Sequence, residues 1–346
     1  MDPIFVQVGP LAVRWYGLLI AAGVLGGAVW ALRAAEKRGL DPEKLLDMAL
    51  WLVIAGVIGA RLVYVLTSPA AYFGPNGNFA DVFKVWQGGI SIHGGIIGVM
   101  VAMWFYCRRH GIDMWAYLDV LTPVGALGII GGRIGNIMNG TDTGGRLTDL
   151  GIGFTWPEPG TATFGAFGRL LFGDELWQFA PPVCSTLAPG EQCVVHFTQF
   201  YGVIVGVILV GIVWLALRRQ AAATEARQAL AGKSAGPSSQ QSAAKPPQPR
   251  PSKRSGALGR VVERHVVPNP GYVFWLFAFW YSILRSVIEE PFRDNPLPWQ
   301  VFLNDSAGIG LFTYTQLASI PIILVAVYMM LTSSSRAERF APTARR

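Results

Sequence analysis

Residues 48–67 read MALWLVIAGVIGARLVYVLT, twenty residues with Arg61 as their one charged side chain. At about 1.5 Å of rise per residue, a helix of this length covers the roughly 30 Å of a bilayer hydrocarbon core. The run is apolar on every side, which suits lipid better than the one-sided burial of a soluble helix. Working outward, six more apolar runs of similar length appear at 15–32, 90–107, 115–131, 199–217, 272–288 and 311–331. Over all 346 residues 52% are hydrophobic and 14% charged, against roughly 25% charged in soluble chains. Disordered, collagenous and coiled-coil proteins are excluded. The sequence predicts an all-α polytopic membrane protein with about seven transmembrane helices.

The net charge of +7 raises nucleic acid as a partner, but the basic residues flank apolar runs and fill one linker, which suits membrane orientation instead. The connections after the first, third and fifth runs, with the C-terminal tail, hold 20 of the 28 Lys and Arg. Those segments are expected to be cytoplasmic, with the N-terminus extracytoplasmic. The first ten residues, MDPIFVQVGP, lack a basic start, so the first run reads as a retained anchor. The chain then divides into 1–217 (five spans), 218–267 (a basic disordered cytoplasmic linker), 268–332 (two spans) and a cytoplasmic tail, 333–346. Residues 139–196, rich in Gly, Pro and aromatics, are expected to form a small extracytoplasmic head between the fourth and fifth spans. Cys184 and Cys193 share that loop and can pair if it faces an oxidising compartment.

The remaining basic residues are the informative ones. With this topology Arg61, Arg133 and Arg285 lie at the outer ends of spans, beside Tyr16, His93, Asn136, Gln199 and Tyr201. A guanidinium in hydrocarbon costs at least a few kcal/mol, so these should face a partner or a wet cavity. Glu289, one helical turn after Arg285, is expected to neutralise it. The positive surplus suits a phosphodiester held by forked hydrogen bonds, as in an anionic phospholipid. Several neighbours have plainer readings. Arg14 reads as a snorkelling side chain, Trp15, Trp86 and Trp280 as interfacial anchors, and most glycines of GGISIHGGIIG and GALGIIGGRIG as helix-packing positions.

Taken together, RWYG at 14–17, WQGGISIHGGIIG at 86–98, GRIGNIMNG at 132–140, TDL at 148–150, HFTQFYG at 196–202 and the Arg285/Glu289/Arg293 cluster resemble bacterial prolipoprotein diacylglyceryl transferases. The resemblance implies a bacterial cytoplasmic (inner) membrane enzyme. Its partners would be phosphatidylglycerol, the preprolipoprotein signal peptide with its lipobox cysteine, and membrane lipids, with no nucleic acid, cofactor or metal. It implies catalytic roles for His93, Arg133 and Arg285, and substrate binding by Tyr16, Arg61, Asn136, Asn139, Gly144, Gln199, Tyr201, Glu289 and Arg293. Relative to the family pattern, Ile137 replaces a Phe, Thr141 and Gly202 each replace a Glu, and Arg293 comes one residue late, with Pro291 before it.

The implied reaction is attack of the thiol sulfur on the glyceryl carbon that carries phosphate. Such a thiol must be deprotonated and the departing phosphate stabilised, which fits His93 for the first task and the arginines for the second. The alternative is a transporter or flippase of an anionic lipid or solute, which predicts polar residues near the bilayer midplane and matched broken helices.

Overall fold

The computed structural model describes residues 4–8, 11–75, 77–85, 88–139, 144–151, 153–155, 182–188, 191–234 and 269–333. It divides into two compact units, Met1–Ala34 with Asp119–Arg346, and Ala35–Leu118. In chain order the elements are β1 (Ile4–Val8), β2 (Leu11–Arg14), α1 (Trp15–Lys37), α2 (Pro42–Thr67), the short α3 (Ala70–Phe73), α4 (Ile92–His110) and α5 (Met114–Asn139). Then come β3 (Phe154–Thr155), β4 (Val194–Val195), α6 (Thr198–Ser234), α7 (Tyr272–Leu284), β5 (Val301–Asn304), β6 (Ile309–Leu311) and α8 (Tyr314–Leu331). Among the described residues the named strands form three antiparallel two-stranded ribbons, β1 with β2, β3 with β4 and β5 with β6.

Among the described residues, five helices are long and apolar enough to cross a membrane: Trp15–Lys37, Pro42–Thr67, Met114–Met138, Thr198–Ala223 and Tyr314–Leu331. The chain is therefore a polytopic helical membrane protein. The other two expected spans are also helical but less uniform. α4 has 19 residues, with Gly94, Gly95 and Gly98 near its start and Arg108, Arg109 and His110 in its last turn. α7 has only 13 residues and passes into a π-helical turn, Arg285–Glu289. α6 runs past residue 217, where the linker is expected to begin, to Ser234. Residues 235–267, the tail from 334, Trp86, and 156–181 of the expected head lie outside the described residues.

Local chemistry fixes the helix ends. Asp41 caps α2, its carboxylate accepting from the backbone of Glu43 at 2.9 Å, and Pro42 occupies the first turn, where no donor is needed. α7 is capped from a distance. The buried Asp119 carboxylate of α5 accepts the backbone N–H groups of Gly271 and Phe274, each at 2.9 Å, and the Gln220 amide of α6 at 3.0 Å.

Glycine lets helix backbones touch. In the Ala35–Leu118 unit, a Cβ on Gly94 would lie 2.2 Å from the Gly59 carbonyl of α2; in the other unit, one on Gly131 of α5 would lie 2.3 Å from the Leu19 carbonyl of α1. The packing role expected for the glycine runs is thus observed at these contacts. Beyond the end of α5, a disulfide joins Cys184 and Cys193, with Cα atoms 5.4 Å apart. Around it Cys193 and Val195 are buried against Ile137, Leu147, Phe154 and Phe197.

Candidate active site

Three elements of one unit deliver polar groups to one place: the last turns of α5, the first turn of α6 and the π turn after α7. Arg133 and Asn136 stand three residues apart on α5 and so share a face. Both donate to Gln199 Oε1 of α6, at 3.1 and 3.3 Å. Arg133 also pairs with Glu289, Nη2 to Oε1 at 2.5 Å. The same carboxylate oxygen takes Arg293 Nη1 at 3.0 Å.

Arg285 pairs with Glu290 and not with Glu289 as the helical spacing predicts. Its Nε and Nη2 reach Glu290 Oε1 at 3.0 and 2.9 Å, and Nη1 donates to the Tyr281 hydroxyl at 2.8 Å. Glu290 is a residue that sequence reasoning misses. A pattern of one helical turn points to Glu289, and nothing in the composition announces a π turn. Both carboxylates are buried, at 1% and 0% exposure, whereas Arg285 keeps 25%. Three guanidiniums face two carboxylates, which leaves one positive charge over. A buried carboxylate survives only when paired, so Glu289 and Glu290 hold arginines in place.

Gly202 sits one turn after Gln199. A Cβ there would fall 2.5 Å from Arg133 Nε and 2.7 Å from its Cδ, so the arginine stem lies across a bare α-carbon. Tyr16 flanks the same stretch of α5, where a Cβ on Gly135 would be 3.0 Å from the Tyr16 ring. The Tyr16 side chain is itself exposed.

The segment after α5 threads beside this cluster. Gly144 adopts a left-handed φ of +53°, which favours glycine, and its carbonyl accepts from Asp294 N at 2.7 Å. Gly145 then bridges to Arg293, and Leu147 to Val195. The close approach expected of Gly144 is made here to the 293–294 backbone. His196, also unassigned from sequence, is fully buried. Its Nε2 donates to the Ala307 carbonyl at 2.8 Å, which leaves Nδ1 to accept from the Tyr201 hydroxyl at 3.2 Å. Burial holds this imidazole below its ordinary value, against the opposing pull of the Ala307 carbonyl. Tyr201, expected at the substrate, is engaged here.

Two expected residues belong to the Ala35–Leu118 unit. Arg61 is buried and, among the described residues, donates to backbone carbonyls: Val82 from Nε at 2.8 Å, Gly88 and Gly89 from Nη1 at 2.7 Å, and Asp81 from Nη2. The Tyr72 ring lies 5.2 Å from the guanidinium carbon. His93, in the first turn of α4, is exposed. The Asn139 side chain, Thr141 and Asp142 lie outside the described residues.

The family model of prolipoprotein diacylglyceryl transferase matches residues 3–232. The chain belongs to the prolipoprotein diacylglyceryl transferase family. Among curated members, the phosphatidylglycerol–prolipoprotein diacylglyceryl transferase of Thermus thermophilus is 40% identical over 325 residues, covering 94% of this chain and 96% of that one. The enzyme of the same name from Deinococcus radiodurans is 36% identical over 351 residues, covering 99% and 88%. That of Thermoanaerobacter sp. is 29% identical over 331 residues, covering 96% and 93%. The prolipoprotein diacylglyceryl transferase resemblance thus extends well beyond the matched motifs.

Proposed function

We propose that this member of the family takes the diacylglyceryl group from phosphatidylglycerol and attaches it to the lipobox cysteine of a preprolipoprotein, the first step of lipoprotein maturation. The thiolate sulfur attacks the glyceryl carbon bonded to phosphate. A C–S bond forms, the C–O bond breaks, and its electron pair leaves on the phosphate oxygen as glycerol phosphate. The thiol proton passes to a base, for which the HGG motif nominates His93.

The observation that carries this reading is the surplus charge of the Arg133/Arg285/Arg293 cluster. Of the five N–H donors of a guanidinium, Arg285 uses three and Arg133 two on described partners. The buried Arg293 Nε has no hydrogen-bond partner among the described residues. Preformed donors of this kind suit the charge that develops on a departing phosphate. Asn136, Gln199 and Tyr16 are assigned by their motifs to the glycerol hydroxyls.

The fuller topology is seven spans, counting α4 and α7, with the N-terminus outside and the cluster facing the outer leaflet of a bacterial inner membrane. Two observations favour it. Basic residues concentrate in the connections assigned to the cytoplasm, and the loop between α5 and α6, at the cluster's end of both helices, contains the Cys184–Cys193 disulfide, a bond of oxidising compartments.

The test is mass spectrometry of a lipobox peptide incubated with the purified protein and phosphatidylglycerol, beside the His93→Ala variant. A diacylglyceryl mass on the cysteine and released glycerol phosphate are expected from the wild type alone. Lipid movement between leaflets without product would favour the flippase reading instead.

A further inference from the structure

We infer that Glu290 and Gln316 are positioning residues that hold Arg285 for the anionic head group by stabilising a π-helical turn. The inference rests on the reading of Arg285 as a phosphate ligand. It begins with backbone geometry. In a regular α-helix, residues five apart point about 140° away from each other. The π turn Arg285–Glu289 closes a wider ring, with the Glu290 N–H donating to the Arg285 carbonyl. That brings residues five apart onto one side, where Arg285 meets Glu290 through Nε and Nη2.

Glu290 has no capacity left for substrate. Besides the two bonds from Arg285, its other oxygen accepts Asn295 Nδ2 at 2.8 Å and Thr313 Oγ1 at 3.1 Å. A buried carboxylate with four donors is a fixed anchor, and through Tyr281 and Glu290 the guanidinium is held at three of its nitrogen–hydrogen bonds. The two that remain are on its terminal nitrogens, and the side chain keeps 25% exposure.

A π turn also displaces carbonyls from the regular ladder. The Ser286 carbonyl is taken by Gln316 Nε2 at 2.8 Å. Gln316 is at the same time the third residue of the α8 capping box: its Oε1 accepts the Thr313 N–H at 2.9 Å and its N–H donates to Thr313 Oγ1 at 3.1 Å. One side chain therefore closes the start of α8 with its oxygen and supports the π turn with its nitrogen. Thr313, capped by Gln316, in turn donates to Glu290. The start of the last helix and the arginine are parts of one hydrogen-bonded chain.

The experiment uses full-length protein in mixed micelles, with phosphatidylglycerol and a lipobox peptide varied separately, for Glu290→Gln, Gln316→Glu and Arg285→Ala. Gln316→Glu keeps the acceptor that the capping box needs and replaces the donor to Ser286 with a carboxylate oxygen that repels its carbonyl. We expect the KM for phosphatidylglycerol to rise about tenfold in Glu290→Gln and by a smaller factor in Gln316→Glu. The KM for the peptide should stay within about twofold of wild type, the scatter expected for an undisturbed contact. If Glu290→Gln fails to fold, Gln316→Glu alone decides. Loss of activity in Arg285→Ala with an unchanged lipid KM in the folded Glu290 and Gln316 variants overturns this inference. Full activity in Arg285→Ala overturns the phosphate reading beneath it.

Discussion

Arg61 of α2 and the Arg133/Arg285/Arg293 cluster are guanidiniums on or beside apolar helices, yet they are used in opposite ways. Arg61 spends its nitrogens on backbone carbonyls of residues 81, 82, 88 and 89. Its partners are neutral, and they are spread along the connection between α3 and α4, which includes a short 3₁₀ turn, Phe79–Phe83. The cluster arginines face carboxylates instead, and donors are left over. The difference teaches that an arginine in a span is not in itself a ligand site. A fork whose every arm ends on a carbonyl fastens a loop, while a fork pinned on one side by carboxylates presents its other side.

The comparison can be broken most forcefully at Glu289. Its replacement by Ala would leave two partly buried guanidiniums without their shared carboxylate, and we expect about 3 kcal/mol of lost stability, read as a fall in melting temperature in detergent. Arg133→Lys keeps the charge and loses the fork. We expect roughly hundredfold lower transfer with little change in melting, and full activity would show that a point charge suffices. Arg61→Lys should do the reverse. Stranded carbonyls cost about 1–3 kcal/mol, so the loop should become sensitive to protease while the KM for phosphatidylglycerol holds; a raised lipid KM would return Arg61 to the substrate site. Gly202→Ala should displace the Arg133 stem and lower kcat/KM about tenfold, an effect absent if the stem can rotate away without moving its guanidinium.

The gentlest test is pH. Burial depresses the His196 imidazole, so the unfolded chain takes up a proton more readily than the folded one. Stability from this group is complete above the ordinary imidazole value of about 6.5 and is lost as pH falls below it. A melting temperature that declines through this window, and a flatter decline in His196→Gln, would identify the group.

Much of this was legible in the sequence, and the failures have physical causes. Long apolar runs announce helices because lipid demands internal hydrogen bonding, and α1, α2, α5, α6 and α8 follow directly. The motif arginines Arg133, Arg285 and Arg293 do gather. The partner of Arg285 was misread because the one-turn rule assumes α geometry, and the residue that makes Arg293 late, placed after Glu289, accompanies a π turn that breaks the rule. Arg61 resisted because its partners are backbone carbonyls, which have no residue identity. Nothing in the sequence marks His196, because its partners, Ala307 and Tyr201, come one from a distant loop and one from the first turn of the helix that follows it.

The cap that Asp119 provides for α7 has a consequence for how the molecule is assembled. α7 is 13 residues long, too short to be held by lipid alone, and its first turn depends on a carboxylate 152 to 155 residues earlier in the chain. Placement of α7 is then a docking event against α5 and not an independent one. Asp119→Ala should leave Asp119-independent helices such as α1 and α2 inserted and yield chains whose region after residue 268 is open to protease from either side, in proportion to the time since synthesis. Equal protection of that region in wild type and variant would mean that α7 settles without its distant cap.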